Sequence, residues 1–212
     1  MPRSSDLFTV EEQRAVATQM AGLVRPLGLR ILVLGRVALF YRYNLMGISK
    51  DVDLHPFPLA EVDPLALHDV LDAAVTPSGG HIKWMEDGRG LLVYYPLDDR
   101  IVPVELIFGG EDWIQEDVLE DAIRKGEEMG GVVVPSDEHL FVMKAEAYVD
   151  RKDRAAADKY FNDLVQIVDA LGKEGGALDR VEVSRLIRMR PVRKHHAMFD
   201  VCNSIIPEPD GQ

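Results

Sequence analysis

Asp51 and Asp53 stand two residues apart in the segment Ser49-Lys50-Asp51-Val52-Asp53-Leu54. Read as a strand, this segment sends both carboxylates to one face, because successive side chains alternate. Like charges on one face repel, and a divalent cation between them converts that cost into binding. Upstream lies Leu34-Gly35-Arg36-Val37-Ala38-Leu39, a strand end, a glycine turn and the start of a helix. The N–H groups of a helix start bind anions, and a glycine lets a phosphate come close to the backbone. A third acid, Glu105, is the lone carboxylate of the strand-like run Ile101 to Phe108. If the strands are neighbours, three hard oxygen ligands converge, a set that suits Mg²⁺ with waters and substrate phosphates completing its shell. Two such ions clamp the attacking and leaving oxygens of phosphoryl or nucleotidyl transfer.

Each piece also has a plainer reading. An Asp-x-Asp often caps a turn, a glycine often only closes one, and Glu105 has Arg42 and Lys83 as potential ion-pair partners. The metal–nucleotide reading is favoured by the order: strand, glycine, helix, Asp-x-Asp strand, hairpin, glutamate strand.

The flanking pattern predicts the elements that would position these residues. Residues 9–26 read as an amphipathic helix capped by Thr9, with Glu11 and Glu12 in its first turn. Arg30 to Leu34 reads as a strand and Val37 to Leu45 as a helix. Asp51 to Leu54 reads as a strand ended by His55-Pro56-Phe57-Pro58, since proline cannot donate to a ladder. Asp63 and Pro64 open a helix running to Ala74. Ile82 to Met85 and Leu91 to Tyr95 flank the turn Asp87-Gly88-Arg89-Gly90 as a hairpin. Trp113 to Glu128 reads as a helix and Gly131 to Val134 as a strand. Beyond Pro135 the chain reads as helices over 136–150, 154–171, 178–188 and 192–204. The expected division is an α/β unit over 1–134, a helical unit over 135–206 and a frayed tail over 207–212.

With 212 residues, 47% of them hydrophobic, the chain can bury a real core, and its formal net charge of −12 argues against a coat of nucleic acid or anionic membrane. Its single cysteine, Cys202, cannot form an internal disulfide, and no signal-like or membrane-length apolar run is present. A cytoplasmic protein is the expectation.

The glycine and Asp-x-Asp segments resemble the nucleotidyltransferase superfamily, the fold of DNA polymerase β. Within it they resemble most the AbiEii-like toxins of type IV toxin–antitoxin systems. That group carries a Gly-Gly/Ser-x-Ala-Leu segment, matched by Gly35 to Leu39, and a Ser/Thr-x-Asp-h-Asp-Leu segment, matched by Ser49 to Leu54. Val102 to Ile107 resembles the strand of the third acid, Leu140 to Ala147 the helix with a lysine after Leu-x-x-Met, and Lys159 to Leu164 the Lys-x-x-x-Asp-Leu segment. The resemblance covers about residues 30–170.

It implies an α+β fold: a nucleotidyltransferase-like mixed sheet with flanking helices, then a helical C-terminal unit. It implies Mg²⁺-dependent transfer of a nucleoside monophosphate from an NTP. Asp51, Asp53 and Glu105 would ligate the metal, with Glu105 helping to activate an acceptor hydroxyl. Lys144 would neutralise triphosphate charge and Asp163 would support it. Gly35, Arg36, Ser49 and Lys50 would bind the nucleotide. The implied acceptor is tRNA, with a cognate antitoxin as partner; alternatives are a small-molecule acceptor, or a nucleotide- or partner-binding protein without turnover. Arg36 stands where relatives carry a small residue, Tyr160 where they carry an acid or histidine, and Gly47-Ile48 where a basic residue is common.

Plainer alternatives stand beside several of these. Lys144 also reads as a solvated helix lysine, and Asp163 as an ion-pair partner of Lys159 or Arg151. The basic cluster Arg180, Arg185, Arg188, Arg190, Arg193, Lys194, His195 and His196 reads as a solvated helix face offsetting Asp179 and Glu182, or as an RNA contact. Trp84, Tyr94 and Tyr95 read as core aromatics or as base-stacking groups, His55 as a loop residue or a substrate contact, and Cys202 as packing.

Overall fold

A computed structural model of the chain describes residues 7–45, 48–108 and 116–207. Met46, Gly47, Trp113 and the tail beyond Pro207 lie outside the described residues, as do the side chains of Ile48 and Ser49.

In chain order the elements begin with β1 (Phe8–Thr9) and α1 (Val10–Val24). Thr9 and Glu12 form a reciprocal capping box at the start of α1, satisfying two backbone donors. Next come β2 (Arg30–Val33), α2 (Gly35–Tyr43), β3 (Ile48–Ser49), β4 (Val52–Phe57) and α3 (Pro64–Val75). Asp63 caps α3 by accepting from Leu65 and Ala66 N–H, as its sequence predicts. They are followed by β5 (His81–Trp84), β6 (Gly90–Leu97), β7 (Arg100–Ile107), α4 (Glu116–Lys125), β8 (Glu127–Met129) and β9 (Val132–Val134). The remainder is helical: α5 (Asp137–Asp150), α6 (Arg154–Lys173), α7 (Arg180–Arg188) and α8 (Val192–Ile205).

The described strands form a seven-stranded sheet in the order β5-β6-β7-β4-β2-β9-β8, with β1 and β3 paired separately. Two pairings, β4–β7 and β2–β9, are parallel and the rest of that sheet is antiparallel. The mixed sheet with helices, followed by helices alone, is the α+β architecture expected from the sequence. The chain divides into two compact units, one of residues 1–114 with 123–135 and one of residues 115–122 with 136–212.

In the first unit, Val52, Leu54, Leu91, Val93, Val102, Val104 and Leu106 are fully buried on one sheet face, against which α1 and α3 pack. In the second unit, α5 packs on α6, α7 and α8 around Leu140, Phe141, Leu164, Leu186 and Met198.

Three boundaries differ from expectation. The helix after the glycine turn starts at Gly35 itself and stops at Tyr43, where Asn44 takes the left-handed conformation that caps helices. Strand β4 does not stop at His55 but runs through Pro56 to Phe57. The Asp53 carbonyl accepts from Leu34 N–H on the β2 side, so by alternation Pro56 turns its nitrogen toward β7. Pairing with β7 ends at Leu54, so the missing N–H of Pro56 costs no ladder bond. Finally, the helix expected to reach Glu128 ends at Lys125, and Glu127–Met129 forms edge strand β8. Gly130 and Gly131, both at positive φ, turn it back onto β9. Its two acids pair with Arg42 and Arg30 at 2.8 and 2.9 Å, which holds a segment of poor strand propensity in place.

Candidate active site on the open face of the sheet

The other face of the first unit's sheet carries the acids. In the β4–β7 register Asp53 lies beside Glu105, so the two carboxylates share one face. Asp51, immediately before β4, falls on the same alternation. Its charge acts on Glu105: burial first, then Asp51, pushes the Glu105 carboxyl above its ordinary range, with Asp87 adding to the rise and Arg89 opposing it. All three predicted carboxylates are half-buried.

Gly35 is fitted to this site. It has φ +62°, a left-handed conformation that disfavours side chains, and a Cβ there would collide with Asp53 Oδ2. The start of α2 therefore abuts Asp53. Arg36 is half-buried in the first turn of α2. Lys50 is exposed just ahead of Asp51. Ser49 is placed only by its backbone, paired with Phe8 in β1.

Three further residues at this site were not singled out from sequence. Gln13 lies fully buried on α1 and donates from Nε2 to the Asp51 carbonyl at 3.1 Å, fixing the backbone that aims Asp51. Its signal was a polar residue within the apolar stripe Val10, Val16, Ala17, Met20 and Val24. Asp87 and Arg89 sit in the β5–β6 turn, joined at 2.5 Å, and the Arg89 carbonyl accepts from Phe108 N–H beyond β7. The ion-pair alternatives for Glu105 are not realised: Arg42 binds Glu127, and Lys83 lies over Tyr94 at 5.4 Å from its ring centre.

His55 is not a loop residue. It is buried in β4 on the acid-bearing face, and its Nδ1–H donates to the Ile107 carbonyl at 2.6 Å. Burial lowers its pKa, and its Nε2 has no hydrogen-bond partner among the described residues. Of the aromatics, Tyr94 faces the acid side, whereas Tyr95 and Trp84 fall on the opposite alternation.

Within the helical unit, Lys144 is buried rather than solvated, and its ammonium pairs with the buried Asp163 at 2.8 Å. Arg151, one of the expected partners of Asp163, donates to the Tyr160 hydroxyl at 3.2 Å. Most of the C-terminal basic cluster is engaged inside this unit. Arg185 pairs with Glu182 and Asp121, Arg190 and Lys194 with the buried Glu146, and Arg180 with the carbonyls of Ile206 and Pro207. Cys202 is buried, which pushes its thiol up to about 12 and leaves it as packing.

No protein-family model and no curated protein matches the sequence. Solved structures do. One is an antigenic nucleotidyltransferase-like protein from Paracoccidioides brasiliensis, 16% identical, with a TM-score of 0.57 over 92% of this chain and 95% of that one. Another is ANT(2″)-Ia in complex with adenylyl-2″-tobramycin, 16% identical, with a TM-score of 0.50 over 82% of this chain and 96% of that one. The chain has the nucleotidyltransferase fold. Within that fold, the sheet face bearing Asp51, Asp53 and Glu105 is the candidate active site.

The motif resemblance implies a divalent metal, and toward it Asp53 and Glu105, side by side in register, offer two carboxylates. The charged form of Glu105 is disfavoured first by burial and then by Asp51, and a divalent cation would relieve the repulsion. Among the described residues, no group of three or more His, Cys, Asp or Glu side chains lies close enough together to hold a metal ion by itself. Mg²⁺ needs none, since it keeps waters and takes phosphate oxygens beside one or two carboxylates.

Proposed function

We propose that this chain is a Mg²⁺-dependent nucleotidyltransferase that moves a nucleoside monophosphate from an NTP to an acceptor hydroxyl. The observation that carries the proposal is the pairing of Asp53 with Glu105 on an open sheet face, with Gly35 abutting Asp53 and Asp51 acting on Glu105. Asp51, Asp53 and Glu105 are the residues to hold Mg²⁺, which when bound supplies charge neutralisation for the phosphates. The α2 start at Gly35, with Arg36 and Lys50, is the place for the phosphates themselves. The acceptor oxygen bonds to the α-phosphorus, the bond to the β-phosphate breaks, and pyrophosphate leaves. Glu105, with its raised pKa, takes the hydroxyl proton. Lys144 and Asp163 form a buried ion pair within the helical unit, and the triphosphate role for Lys144 is what the motif resemblance alone implies.

Two acceptor classes follow. The matched motif segments favour the AbiEii-like reading, a tRNA-modifying toxin with a cognate antitoxin. The similarity to ANT(2″)-Ia, solved with an adenylylated aminoglycoside, and the −12 charge favour a small-molecule acceptor. The separating experiment offers the protein each α-labelled NTP with Mg²⁺ and either bulk tRNA or an aminoglycoside panel. Label on tRNA supports the first acceptor and label on the small molecule the second. NTP binding with label on neither favours a protein that binds without turnover.

A further inference from the structure

The strands beyond Glu105 carry side chains on the acid face that the transfer chemistry leaves unused. In the row through Glu105, β6 and β5 place Leu92 and then Lys83; in the next row, Pro103 is followed by Tyr94 and His81. These positions lie side by side because aligned residues of paired strands share a face. The His81 and Tyr94 rings stack, with centroids 4.1 Å apart and planes within 12°. The Lys83 ammonium lies 5.4 Å from the Tyr94 ring centre. Tyr94 is half-buried, while His81 and Lys83 are exposed on the edge strand.

We propose that His81, Lys83 and Tyr94 form the acceptor subsite, and that it takes an unstacked nucleobase together with its phosphate. The proposal rests on the nucleotidyl-transfer reading above. Aromatic faces stack bases without regard to sequence, and a lysine beside them holds the backbone phosphate. Position assigns this platform to the acceptor rather than to the NTP. Gly35 and α2 lie on the β2 side of the acids, whereas the platform lies on the β6–β5 side, across Glu105. In-line displacement brings the attacking oxygen from the side opposite the leaving pyrophosphate. Strands are spaced about 4.8 Å apart, so the platform begins about one strand beyond Glu105, within the reach of a single nucleotide. A polycationic acceptor would meet Lys83 at close range and be repelled. The nucleotide presented there is either the end of a nucleic-acid chain or a free mononucleotide.

The test uses the full chain and a 5′-labelled eight-nucleotide single-stranded RNA with a free 3′ hydroxyl, read by fluorescence anisotropy, with AMP and tobramycin as competitors. Expected are a loss of about tenfold in RNA affinity for Tyr94→Ala and retention for Tyr94→Phe. Lys83→Ala should weaken RNA binding with a salt dependence lower by about one unit of slope. Mg²⁺–ATP affinity should be unchanged in all three. Competition by AMP at the affinity of the oligonucleotide identifies the mononucleotide, and much weaker AMP binding identifies the chain end. The proposal is overturned if folded Tyr94→Ala and Lys83→Ala bind RNA like the unmodified chain, if tobramycin binds more tightly than RNA, or if the variants lose ATP instead. Tyr94-dependent RNA binding by a chain that does not bind Mg²⁺–ATP would remove the transferase reading and leave the base-and-phosphate platform standing.

Discussion

At the scale of single residues, the candidate site stores repulsion. Glu105 carries a charge that burial and Asp51 both disfavour, so the metal-free protein holds it at a cost. Glu105→Gln removes the charge and keeps the shape. It should raise the melting temperature of the EDTA-treated protein by an amount on the order of 1–2 °C, abolish transfer, and lose the stabilisation that Mg²⁺ gives the unmodified chain. Differential scanning calorimetry with and without Mg²⁺ reads both effects. His55 makes a pH prediction. Its folded pKa is lowered, so the unfolded chain binds its proton first as pH falls. The stability it contributes is complete above the unfolded value of about 6.5 and declines as pH drops below it. In NMR spectra the His55 ring should titrate below the ordinary value of about 6.5; half-protonation at or above it would contradict the burial that lowers it.

At the scale of elements, the site depends on what holds β4 in place. Gln13 on α1 ties down the Asp51 carbonyl, so Gln13→Leu should keep the fold and lower kcat about fivefold, the effect of one hydrogen bond worth about 1 kcal/mol. Unchanged kcat would detach α1 from the positioning of Asp51. In the helical unit, Lys144→Met leaves the buried Asp163 without its lysine and should destabilise the protein by about 3 kcal/mol in urea denaturation. A solvated lysine would cost less than about 0.5 kcal/mol.

Much of this level was legible in the chain. Thr9 and Asp63 marked helix starts because their side chains accept from the first turn, and each does so. The Asp-x-Asp and Glu105 strands were legible from alternation, and their register confirms the shared face. What was not legible depends on partners distant in sequence. Pro56 sits in a strand because β7 has already diverged, and Glu127–Met129 is a strand because Arg30, Arg42 and β9 hold it. Lys144 reads as solvated on its own helix and is buried only because α6 brings Asp163 to it. Asp87 and Arg89 looked like plain turn residues until the hairpin brought their charges to Glu105.

At the scale of the whole molecule, the −12 net charge limits what an acceptor can gain from long-range attraction, so recognition must be local. Of the C-terminal cations, Arg180, Arg185, Arg190 and Lys194 are bound within their own unit, while Arg188 and Arg193 are exposed. No helix among the described residues is long and apolar enough to cross a membrane. What the molecule offers is a nucleotidyltransferase fold in which Asp53 lies beside Glu105 and against the glycine-started helix α2. The most direct test of that claim is transfer from α-labelled NTP in Mg²⁺ by the Asp51→Ala/Asp53→Ala double variant, checked for an intact fold by circular dichroism. The account predicts that label reaches an acceptor with the unmodified chain and not with the variant; label transferred equally by both would contradict it.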